Sequence, residues 1–205
     1  MRKSLCAAAI GIVLSTSCLA VYIHPNGYWI GEDAVKEHIF DANLAEAIAD
    51  FFEEEGAKTI VDFGCGTGEY VKAFHNRGLD CEGFDGNPDT PSLSGGVAKV
   101  LDLSFPFDLL KRYDWVLSLE VGEHLHKDCE SYFISNLHRH NVKGIVLSWA
   151  VKGQGGFGHF NEQNNDYIKN IMANYGYVND VEAENALRRA STLSWFKNTL
   201  MVFRK

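Results

Sequence analysis

Thr59-Ile-Val-Asp-Phe-Gly-Cys-Gly-Thr-Gly-Glu-Tyr-Val-Lys-Ala-Phe74 is the stretch that decides the fold. A short apolar run ends in an acid, and glycines then stand at alternate positions. Ile60, Val61 and Phe63 suit a parallel strand buried on both faces, while Tyr70, Val71 and Phe74 mark the apolar face of a helix that starts near Glu69. Between them, Gly64, Gly66 and Gly68 let the turn take backbone angles closed to other residues. Strand, tight turn and helix in this order form a ligand cradle: without Cβ atoms a cofactor approaches the main chain closely, and the first helical amides point at it.

The glycines read Gly-x-Gly-x-Gly, which is not the Gly-x-Gly-x-x-Gly of dinucleotide enzymes. Asp62 at the mouth of the loop would repel a pyrophosphate but can receive the ammonium group of an amino-acid-like cofactor. Both features disfavour a nicotinamide-dependent oxidoreductase. Val61-Asp-Phe-Gly-Cys-Gly-Thr-Gly68 resembles motif I of the class I S-adenosylmethionine (SAM) dependent methyltransferases. The resemblance implies SAM as cofactor, with its methionine end held by Asp62 and by the loop residues Gly64, Cys65, Gly66 and Gly68.

The rest of the chain follows the element order of that family. Asn43 to Glu55 has helical spacing, with Leu44, Ala47, Ile48, Phe51 and Phe52 on one face and Gly56 as its stop. Asp80 to Asp85 is a second strand closing on an acid. Asp85 lies about twenty residues beyond the loop, where an acid ending the second strand of a doubly wound sheet holds ribose hydroxyls. Gly96 to Ser104 gives a third strand, and the resemblance implies that Asp102-Leu103 at its end meets the adenine. Tyr113 to Leu119 is a fourth, apolar as a central parallel strand should be.

The fourth strand leads into Glu120-Val-Gly-Glu-His-Leu125, which resembles the Glu-x-x-Glu-His segment of ubiquinone-biosynthesis O-methyltransferases, where it borders both cofactor and acceptor. That implies a cofactor contact for Glu120 and makes Glu123 and His124 catalytic candidates, since a histidine titrating near neutrality can take a proton from an acceptor hydroxyl. The same letters also occur in small-RNA 2′-O-methyltransferases, where the acids and histidines bind a divalent metal. That reading needs a further histidine, for which His159 is the candidate, and an RNA-binding surface. No metal spacing is apparent among the five cysteines, and no metal is assigned.

Asp128 to His140 is helical in pattern, and Val142 to Val151 is a fifth strand. Lys152 to Gln163 follows, so rich in glycine that a flexible loop is expected at the carboxyl edge of the sheet, where open α/β proteins place their ligands. It is the candidate acceptor loop, with His159 as a second catalytic candidate. Asp166 to Tyr175 and Ala183 to Ala190 are helical, and Tyr177 to Val181 and Thr199 to Phe203 supply strands six and seven as a closing hairpin. His24 to Asp41, aromatic and without a strong period, suits a lid, with His38 and Asp41 as candidates for contact with cofactor or acceptor.

A chain of 205 residues, 46% hydrophobic and 22% charged, supports one globular domain with a sizeable core. Its formal charge of −8 and the absence of a basic stripe argue against nucleic acid as a partner and favour a small-molecule acceptor. At the N-terminus, Arg2 and Lys3 precede an almost continuously apolar or small run from Leu5 to Ile23. Residues 1–23 therefore read as a signal peptide or signal anchor, with residues 5–23 available for membrane anchoring. The domain of residues 24–205 would then face the lumen or exterior; without a functioning signal it would be cytoplasmic.

The sequence thus describes a Rossmann-like, doubly wound, mostly parallel seven-stranded α/β sheet with helices on both faces. Its expected function is methyl transfer from SAM to an oxygen or nitrogen of a small acceptor; the alternative is a catalytically inactive methyltransferase-like binding protein. Neither the acceptor nor the oligomeric state is legible.

Overall fold

The structure, a computed structural model, describes residues 22–30 and 38–205. Most of the expected signal segment lies outside the described residues, among which no helix is long and apolar enough to cross a membrane. The first described element is a two-stranded antiparallel ribbon, β1 (Tyr22–Ile23) and β2 (Trp29–Ile30). β1 is the end of the segment read as signal or anchor, and β2 falls inside the segment read as an aperiodic lid. Two-residue strands are too short to show any alternation of side chains.

A second sheet of seven strands forms the body. In chain order these are β3 (Thr59–Phe63), β4 (Asp80–Asp85), β5 (Ala98–Val100), β6 (Tyr113–Ser118), β7 (Asn141–Leu147), β8 (Val178–Asn179) and β9 (Met201–Arg204). Their spatial order is β5-β4-β3-β6-β7-β9-β8, with β9 antiparallel to both of its neighbours and the other pairings parallel. Strands six and seven do form the expected antiparallel edge. They are not a tight hairpin, because the helices Val181–Ala190 and Phe196–Thr199 lie between them.

Successive residues of the central strands face opposite layers, which is why the sequence there is apolar without alternation. Val61, Phe63, Val116, Ile145 and Leu147 pack with Phe133, Ile134 and Leu137 of the helix Glu130–Arg139 and with Ile168 and Met172 of Asn165–Asn174. Ile60, Trp115, Leu117 and Val146 face the other way, onto Leu44, Ile48 and Phe52 of Ala42–Glu54 and Val71 and Phe74 of Glu69–Asn76. Helices therefore cover both faces. Gly144 is needed in β7, since a Cβ there would stand 2.2 Å from the Phe203 carbonyl oxygen and 2.5 Å from the Trp115 ring.

Asp41 belongs to this framework. It is buried and caps Ala42–Glu54 through Leu44 N–H, and its other oxygen accepts from Ser191 Oγ and from the Thr192 and Leu193 amides. Its carboxylate therefore ties the first helix to the C-terminal region; of the two lid candidates, His38 lines the cavity described below and Asp41 does not.

Candidate active site

The strand order reverses between β3 and β6, and the crevice outside the carboxyl ends of such a switch point is where doubly wound sheets bind ligands. A cavity of about 710 Å³ opens there. One end is built by the glycine loop. Gly64, Gly66 and Gly68 have φ of 85°, 53° and 75°, and the Gly64 and Cys65 amides are held by the Phe84 carbonyl of β4. A Cβ on Gly66 would stand 2.4 Å from the His38 ring, and one on Gly64 would stand 2.3 Å from a Val121 methyl. The loop walls are thus bare backbone by necessity.

Asp85 has a second duty that its spacing did not reveal. One oxygen accepts the Gly66 amide at 2.9 Å and the other the Asn87 amide at 2.9 Å, so the acid that faces the cavity also fastens the glycine loop to the end of β4. Asp62, also on the cavity wall and nearly inaccessible, has its carboxyl pushed up to about 8, by burial first and then by the Asp85 charge. Burial there favours the protonated form of the carboxyl.

The third expected acid is placed differently. Leu103 lines the cavity, whereas Asp102 accepts from Asn26 Nδ2 at 2.6 Å and from the Ser104 amide and hydroxyl at 2.9 and 2.6 Å. Asn26, in the turn between β1 and β2, thereby clasps the ribbon to the end of β5. Gly27 packs against the His124 carbonyl and Tyr28 against Gly86, so the ribbon reaches from the end of β4 to the His124 segment across the cavity. No local pattern signals this clasp, since Asn26 and Asp102 are far apart in the chain.

The other end of the cavity is made of side chains. Glu120 is a non-glycine residue at φ 52°, a conformation costing ~1–3 kcal/mol that concentrates at functional sites. Its amide donates to Ser148 Oγ, and its carboxylate accepts from Thr199 Oγ1 at 2.9 Å and Gln154 Nε2 at 2.8 Å. Glu123 is fully buried. Neither of its oxygens makes a hydrogen bond of ordinary geometry, although the Glu120 carboxylate and Ala150 backbone lie close enough to act on them. Burial, and then the Glu120 charge, hold the Glu123 carboxyl well above the usual carboxylate range.

His124 Nδ1 lies 3.1 Å from the Gly158 carbonyl and must donate to it, leaving Nε2 with the lone pair. Burial, with His159 second, pushes His124 down to about 4, so it is neutral at pH 7. His159 stands edge-to-face on it with ring centroids 4.9 Å apart. Ligand-type atoms of Glu123, His124 and His159 all lie within 4.8 Å of one another. The three catalytic candidates therefore meet in one place, in an arrangement that also has the composition of a metal site, where the sequence assigned none. Trp29 closes the group, its ring 5.4 Å from that of His124 and 5.1 Å from that of His38.

The glycine-rich segment after β7 is pinned rather than loose. Phe160 and Asn161 amides both donate to the Glu123 carbonyl, Gln163 N–H to the Ala150 carbonyl, and Trp149 Nε1 to the Asn161 carbonyl at 2.7 Å. Asn161 Nδ2 donates to Glu130 Oε2 at 2.8 Å, and Glu130 also takes Lys127 and Tyr167. Glycine content signalled flexibility in the sequence; the anchors that cancel it come from residues distant in the chain.

Fold and site together define a Rossmann-like enzyme of methyl transfer. A family model described as "Methyltransferase domain" matches residues 35–144, more than half of the chain. The chain belongs to this family, and with its seven-stranded sheet it is a class I SAM-dependent methyltransferase. No curated protein matches it. Among solved structures it is similar to magnesium protoporphyrin IX methyltransferase (ChlM) from Synechocystis PCC 6803 with bound SAH, at TM-score 0.60 and 17% identity over 78% of this chain and 81% of that one. It is also similar to the amino pentose methyltransferase CalS10 from Micromonospora echinaspora, at TM-score 0.59 and 16% identity, covering 78% and 89%. A third is the methyltransferase domain of bacterial CtHen1, at 0.56 and 16%, covering 78% and 95%. Identities this low speak for the fold alone.

Proposed function

We propose that the chain transfers the SAM methyl group to an oxygen or nitrogen of a small-molecule acceptor held at the Glu123–His124–His159 end of the cavity. The observation that carries this is the division of one cavity into a bare-backbone cradle and a cluster of proton-handling groups. The residues present fit the cofactor: the Cβ-free loop leaves room for it, and buried Asp62 would gain a counter-charge from its ammonium group. Asp85 keeps free lone pairs for ribose hydroxyls beyond the two amides it accepts, and Leu103 offers an apolar wall to the adenine. Bound there, SAM would supply an electrophilic methyl on a sulfonium.

The protein's share is then placement, an effect worth up to ~7–11 kcal/mol, with no covalent intermediate required. Glu120, clamped by Thr199 and Gln154, is fixed where the two ends meet. His124, neutral at pH 7, can accept a hydrogen bond from an acceptor hydroxyl through Nε2, and His159 is the second nitrogen base beside it. Calorimetric titration of SAM into the protein lacking its first 20 residues tests the cofactor site. Micromolar binding that Gly66→Arg abolishes supports it. Absence of binding by SAM or its demethylated product would favour the inactive, partner-binding alternative.

A specific observation favours a second reading of the acceptor end. Two imidazoles and a fully buried carboxyl with no ordinary hydrogen bond, within 4.8 Å of one another, are a donor set suited to a first-row divalent cation. Such a cation would displace the proton of Glu123, bind its carboxylate and act as a Lewis acid for acceptor oxygens, which would narrow the acceptor to an oxygen nucleophile. Binding of one equivalent of Mn²⁺ or Co²⁺ that His159→Ala weakens supports this reading; equal binding to the variant would remove it.

We also propose that residues 1–23 act as a signal peptide or anchor, on their basic start and apolar run. A reporter fused after Tyr22 that remains soluble in the cytosol would overturn that.

A further inference from the structure

The glycine-rich loop carries one carboxylate whose partners are all within the loop. Glu162 Oε2 accepts the Gly153 amide at 2.7 Å, and Oε1 accepts the Gly155 amide at 2.7 Å and lies 3.0 Å from His159 Nδ1. Gly153 and Gly155 have φ of 88° and 71°, and this left-handed backbone is what lets two amides two residues apart converge on one anion. The glycines are therefore explained by the carboxylate they hold. Burial disfavours the ionised form of Glu162, but the bonds from His159 and the two amides outweigh it and hold the group below the usual carboxylate range.

Both Glu162 oxygens act as acceptors of backbone N–H groups, so His159 Nδ1 must carry a proton, and in the neutral ring the lone pair is then on Nε2. We propose that Glu162 is a positioning residue for the reaction, fixing the ring and tautomer of His159 so that Nε2 is the nitrogen offered to the acceptor end. This rests on reading the Glu123–His124–His159 cluster as the acceptor site. The role holds whether Nε2 receives a proton or a cation, since either needs its lone pair. It also gives the two histidines matching tautomers by different means: His124 Nδ1 is satisfied by the Gly158 carbonyl, His159 Nδ1 by a charged side chain. In both, Nε2 makes no hydrogen bond among the described residues, and that of His159 lies against Gly156, where a Cβ would stand 2.2 Å from it.

The test is long-range ¹H–¹⁵N correlation spectroscopy of the imidazoles in the ¹⁵N-labelled full chain at pH 8, with His159 assigned by the signals lost in His159→Gln. The wild type is expected to show His159 as the Nδ1–H tautomer. Glu162→Ala is expected to move it to the Nε2–H form that free imidazole prefers, with His124 unchanged; because its partner Gly158 sits in the same loop, His124 reports that the loop has stayed in place. An Nε2–H tautomer in the wild type, or an unmoved Nδ1–H in Glu162→Ala, overturns the proposal. Loss of both tautomers together also overturns it, by making Glu162 a loop staple with no particular hold on His159. SAM titration of the same samples keeps this separate from the functional reading, because Glu162→Ala leaves the cofactor residues intact and is expected to bind SAM like the wild type.

Discussion

The two ends of the cavity are built on opposite principles. At the cofactor end, Asp62 and Gly64 to Gly68 are contiguous, and backbone atoms form the binding surface, with Asp85 tying the loop to the next strand. At the other end, Glu120, His124 and His159 come from two segments separated by β7 and line the cavity with side chains. These are oriented by Thr199 and Gln154, by Gly158 and by Glu162 respectively, while Glu123 lies buried behind them, its carboxyl without a hydrogen bond of ordinary geometry. A backbone site tolerates little change at its glycines yet says little about chemistry. A side-chain site states the chemistry and depends on distant supports.

The largest effect is expected from breaking the backbone end. Gly66→Arg places a side chain where even a Cβ would meet the His38 ring, at a φ that side chains rarely adopt, and should abolish SAM binding in calorimetry while leaving the fold detectable by circular dichroism. Asp62→Asn sharpens the contrast because binding and stability should move in opposite directions. Losing the ammonium partner should weaken SAM by about 10- to 100-fold, the range of ~1.5–3 kcal/mol for a charged hydrogen bond. For stability, the folded-state value of about 8 lies above the ordinary 3.8, so the folded protein keeps a proton that the unfolded chain releases. The resulting stability is complete below that ordinary value and lost as pH rises through about 8. Thermal unfolding of the wild type without ligand should therefore fall across this window, and Asp62→Asn should flatten the fall and gain roughly a few kcal/mol near pH 8.

At the side-chain end, Glu123→Gln should lower Mn²⁺ or Co²⁺ affinity by about tenfold or more with SAM affinity nearly unchanged. Equal loss of both ligands would mean that the two ends are not separable. The smallest effect should come from the clasp that bridges them. Asn26→Ala removes the bond to Asp102, and at about 1 kcal/mol should raise the SAM dissociation rate roughly fivefold in stopped-flow displacement.

What could be read early follows the same division. The glycine loop, Asp62 and the order of strands and helices were legible because they depend on residues adjacent in sequence and on apolar periodicity. The placement of Asp102 was not legible, since an acid at a strand end looks the same whether it faces a ligand or, as here, Asn26 and Ser104. Glycines at 153, 155, 156 and 158 looked like slack because composition does not show that two of their amides hold Glu162.

By itself the sequence determined a Rossmann-like methyltransferase sheet and its cofactor loop, because a strand–glycine turn–helix unit is specified by local backbone sterics. Only the tertiary structure decided that Glu123, His124 and His159 form one cluster, that Glu120 sits strained between two clamps, and that the glycine-rich segment is pinned. Those facts depend on β7 carrying the chain back alongside β6, a long-range pairing that no local pattern encodes.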